Sequence, residues 1–377
     1  MALQAVLSTS TDPWFNLALE HYLGHRIQPG DHVFYWWQNR PSVIVGYFQD
    51  AWAECWAERL RQDHVDLVRR PTGGGAVYHD LGNSNFSFWD STAQGKANPL
   101  TDPLIAGHFA AIKDALQAFN IQIFTYGRND LGLLDRGVRY KVSGNAFAYH
   151  PGRVLHHGTL LRQVDFSRMQ NYLRPHRLKR RGVGSHPQLV MNLHQLNPQI
   201  THVNLGQVIK EKWEQRFTRA DDRSGLVTTA ADSSAAIAWV SYGPADLPRL
   251  LALGEDLFPY ARWTSPAWNW GQQHHFAQEL AFRFSFGLFT ILAEVDEQHR
   301  VQDAVIYSDT LHPTLVPAWQ KNLAGCLWQP AAVLQRFPAS KLLPAQREEV
   351  ARLGPEGLAP DMSFIPPRPA EENPRTT

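Results

Sequence analysis

RRPTGGGAVYHDLGNSNFSF runs from Arg69 to Phe88. Two arginines lead into three consecutive glycines, and a short alternating segment follows that ends on His79 and Asp80. Glycine has no Cβ, so this backbone can take φ > 0 and approach a ligand closely. Successive N–H groups in such a turn form an anion-binding nest. The guanidinium forks of Arg69 and Arg70 suit phosphate or carboxylate oxygens. A small anion is therefore the expected ligand, a nucleotide phosphate by preference; the competing reading is a tight hairpin loop. The run is not a P-loop, which needs GK[ST] after a four-residue gap, nor a GxGxxG that opens a helix. Any nucleotide is held in another way.

Outward from the glycines, the pattern is strand after strand. VDLVR (65–69) leads in and NFSFW (85–89) leads out. HVFYWW (32–37) and SVIVG (42–46) are rich in β-branched and aromatic residues and read as strands. Asp12-Pro13 is a helix start, Asp as cap and Pro at the first position, with Trp14, Leu17, Ala18 and Tyr22 at helical spacing behind it. Residues 52–63 and 103–119 are predicted helices, the latter with Leu104, Ile105, His108, Ile112, Leu116 and Phe119 near one face. KVSGNAFAYH (141–150) and RVLHHGTLL (153–161) read as a hairpin across His150-Pro151-Gly152.

Residues 219–236 turn polar and small and read as a long loop or linker. Three strands are expected after it, at 279–287, 288–296 and 301–309, then a helix over 317–328. Strands in sequence with few intervening helices point to an α+β class. The expected organisation is a large domain over 1–246, a small C-terminal accessory domain over 247–337, and a partly disordered, proline-rich tail over 338–377.

Lys plus Arg is 36 against 35 for Asp plus Glu, so the basic excess of a duplex-binding protein is missing and no nucleic-acid partner is expected. Cys55 and Cys326, the two cysteines, cannot build a disulfide scaffold or a four-Cys zinc site. No stretch reaches the length of a membrane span, and the N-terminus has no basic region of a signal peptide. A cytoplasmic protein is the expectation.

A second constellation lies downstream in GRNDLG (127–132), YKVSGNA (140–146) and HHGTLL (156–161). Lys141 stands beside Ser143 and Gly144, where small residues would let a ligand lie against the strand; the plain alternative is a surface lysine. Its compact ammonium could stay on a phosphate oxygen throughout a displacement. Asn129-Asp130 could hold a hydroxyl or a metal-bound water, or form an Asx turn. His156 and His157 are neighbours on a strand, so they face opposite ways and do not share one ion.

Taken together, RRPTGGGAVYHDLGNSNFSF, GRNDL, KVSGNA and HHGTLL resemble the lipoate–protein ligase A family. DPWFNLALE (12–20), PSVIVG with Gln49, and AWAEC (51–55) are similar to its N-terminal part; SPAWNWGQ (265–272) and IYSDTLHP (306–313) are similar to its small C-terminal domain. The resemblance covers about residues 1–336. It implies an α+β fold, a large mixed-sheet domain of the biotin/lipoate-ligase kind plus a small α+β C-terminal domain. It also implies a two-step reaction. The carboxylate of lipoate attacks the α-phosphate of ATP, with Mg²⁺, giving lipoyl-adenylate. A lysine of a separate lipoyl domain then takes the acyl group. The implied acceptors are the lipoyl domains of 2-oxoacid dehydrogenase E2 subunits and the glycine-cleavage H protein.

Carried over by the resemblance, Lys141 is the central cation. Arg70, Thr72, Gly73, Gly74 and Gly75 line the intermediate, and Gly75, Ala76, Val77 and Tyr78 form the nucleotide strand. His79, Asn83, Ser143, Ala146, His157 and Thr159 complete the ATP and lipoyl-AMP contacts. Asn16, Leu17, Arg70 and Lys141 are assigned to the lipoate pocket, and Asn129 and Asp130 to Mg²⁺. The chain departs from the family at VGYFQD, where Tyr47 and Asp50 replace Arg and Asn. A lipoyltransferase that takes preformed lipoyl-AMP would keep the same residues and is the alternative. A covalent cysteine route would need a thiol in the pocket, and HHGTLL has none. The basic run 174–181 could steer an acidic acceptor or be a solvated helix end.

Overall fold

The computed structural model describes residues 2–92, 102–126, 129–174, 189–219, 236–271, 276 and 278–352. Gly127-Arg128, the 219–236 loop apart from its two end residues, the basic run beyond Arg174, and the tail beyond Arg352 lie outside the described residues. Two compact units emerge. The first comprises 1–45, 51–72 and 76–270; the second comprises 46–50, 73–75 and 271–377.

In chain order the strands of the first unit are β1 (Leu3–Ser8), β2 (His32–Trp37), β3 (Ser42–Val45), β4 (Asp66–Arg69), β5 (Val77–His79) and β6 (Asn83–Ser91). Then come β7 (Phe124–Tyr126), β8 (Asp130–Asp135), β9 (Val138–His150), β10 (Arg153–Leu161) and β11 (Trp239–Tyr242). Eight of them form one mixed sheet in the order β11-β1-β2-β6-β10-β9-β8-β7, parallel at β11-β1-β2 and antiparallel beyond. A small sheet, β4-β3-β5, carries the segments on either side of the glycine run.

The continuous apolar run of β2 has a simple cause: the large sheet is covered on both faces, so neither face of a central strand needs polar residues. One face packs Tyr35, Trp37 and Trp89 against helix α1 (Pro13–Arg26). The other packs Phe34 and Phe88 against Trp213, and Phe88 against His108. Trp213 belongs to the helix His202–Arg219 and His108 to the helix Pro103–Ala118. Burying each such ring is worth about 1.5–3 kcal/mol. Asp12 caps α1 as the sequence predicts, its carboxylate accepting from the N–H groups of Trp14 and Phe15 at 2.9 Å each. The 150–152 hairpin also forms, with Gly152 at φ 76.

The helix expected over 52–63 is broken into Ala51–Glu54 and Ala57–Gln62. Cys55 leaves the helix to bridge to Leu173, and Trp56 N–H donates to Tyr172 O. The contact boundary falls at Trp270/Gly271 and not at 246/247. Residues 247–270 belong with the first unit because Leu250, Phe258 and Trp263 enter the core beside Phe15 and Leu17.

In the second unit, strands β12 (Gln278–Phe284), β13 (Gly287–Val295) and β14 (Val301–Ser308) form an antiparallel sheet. Its core joins Phe282, Phe284, Phe286 and Phe289 to Trp319 and Phe337. The helix expected to reach residue 328 ends at Asn322, with Gly325 in the left-handed region just after it. The expected tail begins later than residue 338: Pro344–Arg352 is a helix, and Leu342 and Val350 are buried in this core.

Candidate functional site

The polar residues of β6 mark the place. Asn83, Ser84, Asn85, Ser87 and Asp90 are all buried in a central strand, and buried polar groups in a sheet interior must find partners. On the α1 face, Ser87 Oγ donates to Glu20 Oε1, and the Trp37 indole N–H donates to Ser87 Oγ at 3.0 Å. The same Glu20 oxygen lies 2.9 Å from His157 Nδ1. Nε2 of that ring is 2.7 Å from Thr72 Oγ1, which in turn accepts from Arg70 Nε at 3.1 Å. Glu20, Arg70, Thr72, Ser87 and His157 are therefore one buried cluster, assembled from α1, β6, β10 and the segment after β4.

Arg70 is the electrostatic centre of this cluster. Burial pulls its guanidinium down to about 10; Glu20 opposes that shift and Arg69 adds to it. Its backbone N–H is tied to Val45 O and one terminal N–H to Ile44 O. His79 stands nearby with its Nδ1 accepting from Asn39 Nδ2 at 3.1 Å, so its proton sits on Nε2. That Nε2 is buried with no hydrogen-bond partner among the described residues. Burial, with smaller contributions from the neighbouring Arg70 and His157, holds His79 down to about 3. A neutral ring with a buried N–H donor beside a buried guanidinium suits an anionic oxygen.

Arg69 plays a different part from the one its sequence position suggests. Its guanidinium donates to the carbonyls of Trp268 and Asn269, and its backbone N–H to Asn269 Oδ1. It fastens residues 266–270 to β4.

Lys141 is on β9, where the pairing with β8 slips by one residue between Leu131 and Gly132. Such bulges re-aim side chains. Lys141 Nζ reaches Asp130 Oδ1 at 2.8 Å, and its backbone is clamped by Leu189 O and Met191 N–H. Gly144 makes room for it: a Cβ there would lie 3.1 Å from Lys141 Nζ. Next along the strand, Asn145 Nδ2 donates to Asn129 O at 2.7 Å and to Ser143 Oγ at 3.2 Å. Asn129 Nδ2 donates back to Asn145 O. Thr159 Oγ1 accepts from Gly144 N–H, and Ala146 pairs with His157 across the hairpin. Lys141, Ser143, Asn129, Asp130, Ala146, His157 and Thr159 thus gather on β8, β9 and β10.

Gly73, Gly74 and Gly75 group by contact with the second unit. Gly74, at φ 93, donates its N–H to Thr310 O at 3.3 Å, and a Cβ on Gly73 would lie 2.1 Å from that same oxygen. Tyr47 and Asp50 sit in the other short segment of that unit, where Phe48 O accepts from Ser308 N–H. After the glycines, Ala76 is packed against the cluster of Val43 and Val45, and Val77, Tyr78 and His79 form β5.

Two assigned pocket residues are supports. Asn16 is fully buried, with its amide nitrogen donating to Ser10 O, Gln38 O and Asn39 Oδ1 and its oxygen accepting from Ser8 Oγ. Through Asn39 it holds His79. Leu17 packs into the apolar core with Tyr35, Trp37 and Ile44. Asn83 Nδ2 donates to Asn85 Oδ1 at 2.6 Å, while Asn83 Oδ1 and Asn85 Nδ2 are buried without a partner among the described residues.

Glu20, Ser87 and Asn39 escaped the sequence reading. The signal for Glu20 was there: a carboxylate one helical turn from Asn16 and Leu17, on the face of α1 that carries the apolar stripe. Charged residues are almost never fully buried unless paired. The histidine expectation is met, His156 lying on the opposite face against Phe88 and His108. Among the described residues no three His, Cys, Asp or Glu converge as a metal site. Cys55 and Cys326 are buried free thiols, and Cys55 Sγ points to Ala51 O.

The family model for the lipoyl protein ligase A/B catalytic domain matches residues 12–214. A lipoate-protein ligase A of Psychrobacter cryohalolentis is 31% identical over 339 residues, spanning 89% of this chain and 92% of that protein. Among solved structures, Plasmodium falciparum LipL1 in complex with lipoate superposes with TM-score 0.72 at 23% identity, covering 93% of this chain and 98% of that one. A lipoate-protein ligase A bound with ATP gives TM-score 0.53 at 20% identity, covering 72% of this chain and 99% of that one. These two likenesses confirm the expected α+β fold.

Proposed function

Because this chain belongs to the lipoyl protein ligase A/B family, we propose that it is an ATP-dependent lipoate–protein ligase. The observation that carries the reading is the buried chain of Arg70, Thr72, His157 and Glu20, which fixes a guanidinium out of water. A guanidinium fixed in this way suits the oxygens of an acyl phosphate.

The reaction has two halves. A carboxylate oxygen of lipoate attacks the α-phosphorus of ATP, the bond to the β-phosphate oxygen breaks, and pyrophosphate leaves. The amine of an acceptor lysine then attacks the acyl carbon of lipoyl-AMP, the carbon–oxygen bond breaks, AMP leaves, and the nitrogen loses one proton. Arg70 and Lys141 offset charge on the transferring groups, and chemistry of this kind is mostly positioning and electrostatics. A dry pocket also protects the mixed anhydride from water. Mg²⁺ fits the hard oxygen donors here: Asp130 and Asn129 supply a carboxylate and an amide oxygen, and magnesium proteins commonly add only one or two carboxylates to the substrate phosphates. When bound, the ion would neutralise phosphate charge.

The acceptors are the lysine-bearing lipoyl domains of 2-oxoacid dehydrogenase E2 subunits and the H protein of glycine cleavage. No described helix is long and apolar enough to cross a membrane, and the free thiols suit a reducing compartment, so we place the reaction in the cytoplasm.

The test is ATP–pyrophosphate exchange with purified protein, Mg²⁺ and lipoate, with octanoate as a control acid. Lipoate-dependent exchange is expected. No exchange, with transfer still seen from synthetic lipoyl-AMP, would make the protein a lipoyltransferase instead.

A further inference from the structure

The cluster around Glu20 has a direction that follows from counting protons. Glu20 Oε1 faces two groups, Ser87 Oγ and His157 Nδ1 at 2.9 Å. Ser87 Oγ accepts from the Trp37 indole, which can only donate, so the Ser87 hydroxyl hydrogen goes to Glu20. His157 Nδ1 meets a carboxylate oxygen and carries a hydrogen toward it. At the other side of that ring, Nε2 is 2.7 Å from Thr72 Oγ1. Thr72 Oγ1 accepts from Arg70 Nε, which can only donate, and its own hydrogen is left for His157 Nε2. The polarity therefore runs from Arg70 to Thr72 to His157 to Glu20, and from Trp37 through Ser87 to the same carboxylate. All five side chains after Arg70, and Arg70 itself, are buried, so water does not scramble the order.

We propose that Glu20 is a positioning residue of the ligase site: by accepting from His157 Nδ1 it holds the ring in its Nδ1–H tautomer, which commits the Thr72 hydroxyl hydrogen to His157 and leaves Thr72 an acceptor that seats the Arg70 guanidinium. With the opposite tautomer, His157 Nε2–H would donate to Thr72. Thr72 Oγ1 would then accept from both His157 and Arg70, and its own hydrogen would turn away from His157 toward the substrate. The inference rests on the ligase reading for its catalytic consequence, but the tautomer itself does not.

Two measurements test it. Protein labelled with ¹⁵N in its histidine rings is assigned for His157 by the signal that disappears in His157→Gln. The expected pattern is a protonated Nδ1 and an unprotonated, accepting Nε2. A protonated Nε2 with a bare Nδ1 in the wild-type protein overturns the proposal, whatever the enzyme does. The second is the pair Glu20→Leu and Glu20→Gln, read by the ring spectrum and by lipoate-dependent pyrophosphate exchange. Leucine removes the acceptor at similar volume, so the ring should move to Nε2–H and exchange should fall on the order of tenfold or more. Glutamine keeps an oxygen where Oε1 stands, so the Nδ1–H pattern and most of the exchange should persist. Equal losses in the two variants would show that only the negative charge matters and would overturn the tautomer role. If the wild-type pattern is as expected and no exchange is seen in any variant, the ligase reading fails while the proton order stands.

Discussion

On the proposed ligase reading, Lys141 acts from a fixed position. With Asp130 Oδ1 at 2.8 Å and its backbone clamped on both sides, the ammonium has little freedom. Lys141→Ala should remove about 3 kcal/mol or more of transition-state stabilisation, read as lipoate-dependent pyrophosphate exchange at unchanged thermal midpoint. Near-normal exchange would remove Lys141 from the site. Gly144→Ala is a milder test of the same geometry. The added methyl meets only the end of the lysine chain, at 3.1–3.2 Å, so the fold should survive while exchange falls several-fold. Gly158→Ala should instead cost stability, because its Cβ would lie 2.5 Å from Asn145 Oδ1 and 2.6 Å from the Phe86 ring; a denaturant midpoint separates the two. Arg70, Thr72 and Lys141 were legible as residue types in a recognisable order. Glu20 was marked only by its place on the apolar face of α1, because the partners on β6 and β10 that bury it lie far along the chain.

At the scale of elements, β6 joins two chemistries across one sheet. Its odd residues, Asn85, Ser87 and Trp89, face α1 and the candidate site. Asp90 belongs to the other face, beside His32 Nδ1 at 2.6 Å and His108 Nε2 at 2.9 Å. The His108 approach is an ion-pair contact off the hydrogen-bond axis, since neither atom has an aligned partner. Burial alone would raise the Asp90 carboxyl, but the two histidines outweigh it and hold it below its ordinary value. A depressed carboxyl stabilises the fold above the unfolded carboxyl's pKa of about 3.9 and loses that contribution as pH falls below it. Asp90→Asn strands the buried His108 and the part-buried His32 and should cost about 3 kcal/mol or more at neutral pH, measured by urea unfolding. The strand pattern itself was readable from alternation and β-branched content. The break at Cys55 was not, because it depends on a bridge to Leu173, which lies far along the chain.

For the whole molecule, the buried histidines set acid tolerance. His79 and His202 are each held down to about 3, burial being the main cause for both. An unfolded histidine takes its proton near 6.5, so the unfolded chain gains protons that the fold refuses as pH drops below that value. Between pH 7 and pH 5 each ring should remove about 1–2 kcal/mol of stability. Urea midpoints at pH 7, 6 and 5 should fall steadily. A flat midpoint across this range would mean that these rings are protonated in the fold. The boundary at Trp270/Gly271 could not be read from composition, because Leu250, Phe258 and Trp263 are ordinary apolar residues whose core partners sit in α1.

The glycine run has one more consequence, in the order of synthesis. Gly74 N–H is held by Thr310 O, and Phe48 O by Ser308 N–H. On the ribosome, both early segments emerge long before the residues that hold them. The large sheet can therefore close while residues 46–50 and 73–75 still lack those partners, and they settle only when β14 has been made. A nascent chain stopped just short of β14 would carry Arg70 and Lys141 and yet lack the contacts that order its glycines.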